Sequence, residues 1–151
     1  MRVPARWLLR LAQGLGIVWA LPVTAIGLAA GLAALAAGAR VRLSRRDLAC
    51  VFQQVPWGPG GALTLGNVIL DTGVMLDRPC YTYAHDAGHR HEPQVLLADH
   101  ERAHVLQYMA LGVLFLPLYL LHGGVVATNP FEHAADRYAR TGRGWWPWGR
   151  D

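Results

Sequence analysis

The sequence predicts an α+β chain that is mainly α. An N-terminal membrane helix, either one span or a hairpin kinked at Pro22, precedes a small β-hairpin or sheet and then a helical core. Three observations predict this. No charged residue occurs across the 29 positions between Arg10 and Arg40. Two short β-rich runs flank Pro56-Trp57-Gly58-Pro59-Gly60-Gly61, a strong turn signal. From Pro93 onward no helix breaker appears until Gly112.

About 20 apolar residues suffice to cross a bilayer as a helix, so the first stretch is long enough. It is also longer than the 7–15 residues of a signal-peptide core, which favours a retained anchor. Pro22 is expected to kink or split it. Gly27 and Gly31 form a GxxxG pair, either a close-packing face in lipid or ordinary membrane-helix composition. Arg2, Arg6 and Arg10 precede the segment, and Arg40, Arg42, Arg45 and Arg46 follow it. Positive flanks favour the cytoplasmic face, and having them at both ends is what a shallow hairpin would satisfy. Composition agrees with a membrane chain: 53% of the 151 residues are hydrophobic and only 16% charged. Every basic side chain is an arginine, and these are scattered instead of forming the continuous basic face of a nucleic-acid binder. Cys50 and Cys80 can form at most one bridge and do not define a redox compartment.

Ala49-Cys50-Val51-Phe52 and the run Ala62–Leu70 read as strands of a small antiparallel sheet or hairpin. Residues 77–93 read as loop. They carry His85, Asp86, His89, His91 and Glu92, which imitate a metal cluster, but Gly88, Pro79 and Pro93 argue against a helix that would align them. A solvated polar loop is the expectation.

The helix opened by Pro93 carries His100-Glu101-Arg102-Ala103-His104. Histidines at i and i+4 share one helix face, so both imidazoles reach a single metal ion. A glutamate beside the first is placed to act as a general base. A catalytic zinc needs a third protein ligand. Gln107 and Ala110 depart from the extended pattern with a third histidine, which excludes the metzincin arrangement. One glutamate follows, in Asn129-Pro130-Phe131-Glu132-His133-Ala134-Ala135-Asp136. Glu132 and Asp136 again share a face, supplying one carboxylate for the metal and one to orient a ligating histidine. Taken alone, Asn129, Pro130 and Glu132 also read as N-cap, N1 and N3 of a capping box, and the two histidines as polar positions on a half-buried helix. His133 lies about 100° around the helix from Glu132, and His122 sits in an apolar run, so neither is expected to ligate.

HExxH followed by ExxAD resembles the gluzincin zinc peptidases, most closely the membrane-embedded group of CAAX prenyl proteases and heat-shock-induced membrane proteases. The resemblance covers residues 93–140. It implies a Zn²⁺ cofactor held by His100, His104 and Glu132, with Glu101 as general base and Asp136 as partner of a ligating histidine. On this reading residues 1–40 are the anchor and 41–151 a small metallopeptidase-like domain, with a β element at 48–76 and a helical site at 93–140. The expected activity is hydrolysis of a peptide or protein substrate by a membrane-anchored peptidase, with the bilayer as second partner. The site would lie near the membrane surface, the cytoplasmic face favoured. The competing reading is a non-catalytic integral membrane protein with a structural metal site or none.

The metal hypothesis constrains the apolar stretch 109–127. Ligand bonds of about 2 Å require His104 and Glu132 to lie side by side, whereas one helical crossing would separate them by about 30 Å. The chain must go out and return, turning near Gly112 and again at His122-Gly123-Gly124. Trp145-Trp146-Pro147-Trp148 suits an aromatic anchor at headgroup level or a loose end. Tyr108 and Tyr138 are the candidates for oxyanion stabilisation. The strand at 62–70 is a candidate edge for pairing with an extended peptide.

Overall fold

The structure, a computed structural model, describes residues 6–149 except positions 74, 90 and 92. A long helix α1 (Arg6–Ala36) leads into strands β1 (Arg40–Ser44), β2 (Ala49–Gln53), β3 (Ala62–Leu65) and β4 (Val68–Asp71). A two-residue strand β5 (Pro79–Cys80), a single turn of helix α2 (Tyr83–Asp86) and strand β6 (Val95–Leu96) follow. Helices α3 (Leu97–Leu111), α4 (Phe115–Leu121) and α5 (Pro130–Thr141) complete the chain. The α+β, mainly α expectation holds.

The sheet is mixed, in the order β1-β2-β4-β3, and not the antiparallel one expected. β1 and β2 form a hairpin, β2 runs parallel to β4, and β4 returns antiparallel to β3. The run Ala62–Leu70 is therefore two strands, folded at Gly66-Asn67, where Gly66 takes φ 61° against the backbone of Thr24. Alternation sorts the side chains. Phe52, Val68 and Leu70 pack on α1, and Val51 and Ile69 pack with Ala98 and Val105 of α3. β4 is buried on both faces, which is why it reads as an unbroken apolar run. β3 is an edge strand.

α1 runs unbroken for 31 residues, about 46 Å, so the hairpin bent at Pro22 does not form. Proline removes one backbone donor, which a long helix tolerates, and the Thr24 hydroxyl donates to the Ala20 carbonyl one turn back. Small residues at Gly16, Ala20, Thr24, Gly27, Gly31 and Ala34 make one buried stripe. Gly16 meets Met109 of α3, Gly27 meets Leu65 and Val68, and Gly31 meets the Phe52 ring. The GxxxG pair thus approaches a sheet and not another helix. The opposite face of α1 is bare: Trp7, Leu11, Leu15, Val18, Ile26 and Leu32 are each more than half exposed.

This docking makes a sharp prediction. A Cβ at Gly31 would lie 2.2 Å from the Phe52 ring, and Phe52 is only 2% exposed and has nowhere to go. Gly31→Val is expected to cost about 2–3 kcal/mol, or roughly 4–12 °C in the melting temperature of the detergent-solubilised protein. Gly14, with no atom within 4 Å of its Cβ position, is the control. Gly14→Ala is expected to be neutral or to stabilise by up to about 1 kcal/mol through helix propensity. Equal melting of both variants would mean that α1 is not docked on the sheet.

By length and composition, two helical stretches are long and apolar enough to cross a membrane: Arg6–Ala36, mean hydropathy 2.0, and Leu97–Leu121, mean hydropathy 1.7. The second is not one straight helix. Gly112 stops α3 at φ 57°, ψ −130°, a short 3₁₀ turn Gly112–Leu114 redirects the chain, and the turn at 122–124 sends it back. α3 begins at Leu97 and not at Pro93, because Val95–Leu96 pairs with Pro79–Cys80 as β5–β6. α3 and α5 then pack closely through Ala103 and Ala135, two small residues that let the backbones approach.

Candidate metal centre

His100 and His104 lie one turn apart on the face of α3 that meets α5. α5 is positioned by Asn129, fully buried at its N-cap. The Asn129 side-chain oxygen accepts from the Phe131 amide, and its nitrogen donates to the carbonyls of Tyr119 and Gly124. Because Asn129 caps alone and its own amide donates to the Val126 carbonyl, Glu132 is not used to close a capping box. Its carboxylate turns into the core beside the two imidazoles.

The three side chains converge. His100 Nε2 is 3.0 Å from Glu132 Oε2, His104 Nε2 is 3.6 Å from Glu132 Oε1, and the two Nε2 atoms are 3.1 Å apart. Four ligands around an ion at 2.0–2.1 Å lie about 3.3 Å from one another, so these separations suit one tetrahedral centre. Glu132 Oε2 is buried, and His100 Nε2 faces it at 3.0 Å. His100, His104 and Glu132 are 5%, 7% and 2% exposed. The group can hold a metal ion.

Each imidazole is held from behind. Asp136 Oδ1 sits 2.9 Å from His100 Nδ1, and Gln107 Oε1 sits 2.9 Å from His104 Nδ1. Asp136 thus lies behind the first of the two histidines. Glu101 is buried beside the site, and its Oε2 accepts a 2.6 Å hydrogen bond from the Thr64 hydroxyl on edge strand β3. The Tyr119 hydroxyl donates to Glu132 Oε1.

Two cavities flank the centre. One of about 240 Å³ is lined by Met75, Cys80, Tyr81, Val95 and Leu97; one of about 90 Å³ is lined by Leu63, Thr64, Leu65, Phe115, Leu116 and Val125. Ala62, Tyr83, His100 and Glu101 belong to both, so β3 runs past the site from one cavity to the other.

The remaining candidates fall outside the centre. Among the described residues, those of 77–93 do not join a metal group; His85 stacks on Tyr81 with ring centroids 4.2 Å apart, His89 and His91 are exposed, and Glu92 lies outside the described residues. The segment is not wholly loop, since it contains β5 and the turn of α2. His122 packs against Phe131 and Trp148, and His133 faces the Ala127 carbonyl. Tyr138 lies under Arg102 and lines neither cavity, while Tyr108 is 1% exposed and lines only the smaller one. The tyrosines that approach the ligands are Tyr119 and Tyr83, which sequence reading missed. Tyr119 was hidden in the apolar run Leu114–Leu121, although its hydroxyl is the one polar side-chain group there. The tryptophan tail is not loose: the carbonyls of Trp145 and Trp146 accept from Gln107 and Arg137.

Burial alone would lower the pKa of His100, but its hydrogen bond to Asp136 and the adjacent Glu132 hold it well above the ordinary 6.5. Burial of Glu132 would raise its pKa, yet His104 and His100 bring it well below 4.5. In the metal-free protein the Glu132 contribution to stability is present above about pH 4.5 and lost as pH falls through its lowered value. The His100 contribution is present below about pH 6.5 and lost as pH rises through its raised value. A metal must displace the His100 proton. Calorimetry at pH 7 in buffers of different ionisation enthalpy is expected to show proton release on zinc binding. Zinc affinity should fall about tenfold per pH unit per proton displaced as pH drops towards 5.5. Binding without proton release would contradict a ligating His100.

Comparison with protein-family models, with curated proteins and with solved structures gives no match.

Proposed function

We propose that the chain is a membrane-anchored zinc-dependent peptidase of gluzincin type. The observation that supports it is the convergence of two imidazoles and one carboxylate at tetrahedral spacing, with a separate buried carboxylate, Glu101 of α3, tied to edge strand β3 alongside. Two nitrogen donors and one oxygen donor with room for a fourth ligand are the donor set of a catalytic zinc. Bound there, zinc supplies Lewis acidity toward a carbonyl and lowers the pKa of water.

The protein's own groups do the rest. β3 offers unpaired backbone groups to an extended peptide, whose side chains on either side of the scissile bond enter the two cavities. Glu101, held by Thr64, takes a proton from the attacking water and passes it to the leaving amine. Tyr83 lines both cavities, and burial together with Glu132 pushes its pKa up to about 12, so its hydroxyl keeps its proton and can donate to the developing oxyanion.

The bare face of α1 and the exposed Val113, Leu114, Leu116, Leu120, Leu121 and Val125 support a bilayer-facing apolar surface; on this reading the cleft lies near the membrane surface. Arg40, Arg42, Arg45 and Arg46 favour the cytoplasmic side. The test of the peptidase reading is hydrolysis that stops in Glu101→Gln while zinc stays bound.

A further inference from the structure

Gln107 is a fully enclosed polar side chain beside the centre, with 0% of its surface exposed. Its amide nitrogen donates to two backbone carbonyls, Phe131 at 3.2 Å and Trp145 at 2.9 Å. A carbonyl can only accept, so these two contacts use both amide hydrogens and fix which end of the amide faces which way. The oxygen must face His104. Because it can only accept, His104 Nδ1 must carry the hydrogen that the 2.9 Å contact shares. A neutral imidazole with hydrogen on Nδ1 has its lone pair on Nε2, the atom 3.1 Å from His100 Nε2 and 3.6 Å from Glu132. Two main-chain carbonyls, one of them in the C-terminal tail, thus dictate the tautomer of His104.

We propose that Gln107 is the positioning residue of the second histidine, and that the chain segment around Trp145 is a structural member of the metal centre. His100 is oriented by a carboxylate and His104 by a neutral amide. The amide supplies direction without adding a fourth negative charge to a centre that already holds Glu101, Glu132 and Asp136. The proposal rests on the reading of His100, His104 and Glu132 as metal ligands.

Cobalt(II) titration of the full chain in detergent, followed by visible absorption, tests it without any activity assay. Wild type, Gln107→Met and Gln107→Glu are compared, with metal-free thermal unfolding recorded for each so that affinity refers to folded protein. Loss of a hydrogen-bonded partner of a ligating histidine typically weakens metal binding 10–100-fold, and that loss is expected for Gln107→Met, with an altered cobalt spectrum. Gln107→Glu keeps the acceptor toward His104 and is expected to recover the spectrum and part of the affinity. A merely structural glutamine would lower the melting temperature of both variants yet leave cobalt affinity and spectrum unchanged, which would overturn the proposal. Wild type that binds no cobalt would instead overturn the metal reading itself, and this inference with it.

Discussion

Glu132→Ala is expected to strip the metal from the protein. Wild type purified in detergent should carry close to one zinc per chain by elemental mass spectrometry. The variant should fall to background, with an affinity loss beyond the 10–100-fold that removing an outer hydrogen-bonding partner costs. Glu132 is the only acidic group of the triad, and it faces both Nε2 atoms at once. Truncating it leaves two imidazoles 3.1 Å apart with no counter-charge opposite, and removes the acceptor of the Tyr119 hydroxyl. It also leaves His100 with Asp136 and the charge of Glu101 against its burial, so its pKa should drop from its raised value. The specificity control is His122→Ala, whose imidazole lies on the exposed end of α4 and bonds the Leu118 carbonyl. That variant should keep its zinc. Retention of one zinc in Glu132→Ala would remove Glu132 from the ligand set, and absence of zinc from wild type would remove the site.

Much of this site is local geometry, and that part was legible in the sequence. His100 with His104, and Glu132 with Asp136, are each one helical turn apart, so the helix itself fixes each pair on one face. The requirement that His104 and Glu132 meet also dictated that 109–127 turn back, and Gly112 and the 122–124 turn supply both bends. Other parts were not local. Gln107 read only as a departure from the glycine of the HExxHxxGxxH pattern, because its meaning depends on the carbonyls of Phe131 and Trp145, 24 and 38 residues away. Thr64 is tied to Glu101 across 37 residues by sheet packing. The division of 62–70 was there to be read: Gly66-Asn67 between apolar runs is a two-residue hairpin signal, masked by the strength of the apolar pattern around it. In α1, apolarity on every face conceals which side is exposed and which packs on the sheet and α3. The stripe of small residues carries that information, and the sequence reading picked out only its Gly27–Gly31 portion. The start of α3 shows a tertiary contact overriding local preference, since pairing with β5 holds Val95–Leu96 extended.

Glu101→Gln separates the two remaining readings of a metal-bearing site. The substitution keeps size and shape, and the Thr64 hydroxyl, which now donates to Glu101 Oε2, can donate equally to the amide oxygen. Nothing in the ligand set is touched, because Glu101 is not among the converging donor atoms. Zinc content and melting temperature should therefore stay near wild type. What the amide cannot do is accept and return a proton. General acid–base groups contribute about 10²–10⁴-fold, so kcat/KM for peptide hydrolysis is expected to fall by that factor, about 2.7–5.4 kcal/mol of transition-state stabilisation. The loss should appear in kcat, since the isosteric amide preserves β3 and the shape of the two cavities that would bind the peptide. A peptide mixture with bulky apolar residues, read by mass spectrometry, suits cavities lined by Met75, Val95 and Leu97 on one side and Leu63, Phe115 and Leu116 on the other. Zinc-loaded wild type and zinc-loaded Glu101→Gln that cleave equally would exclude Glu101 as the base. Zinc-loaded wild type that cleaves nothing would make the centre structural: a buried clamp joining α3 to α5, in which Glu101 serves only to tie β3 to the helix behind it.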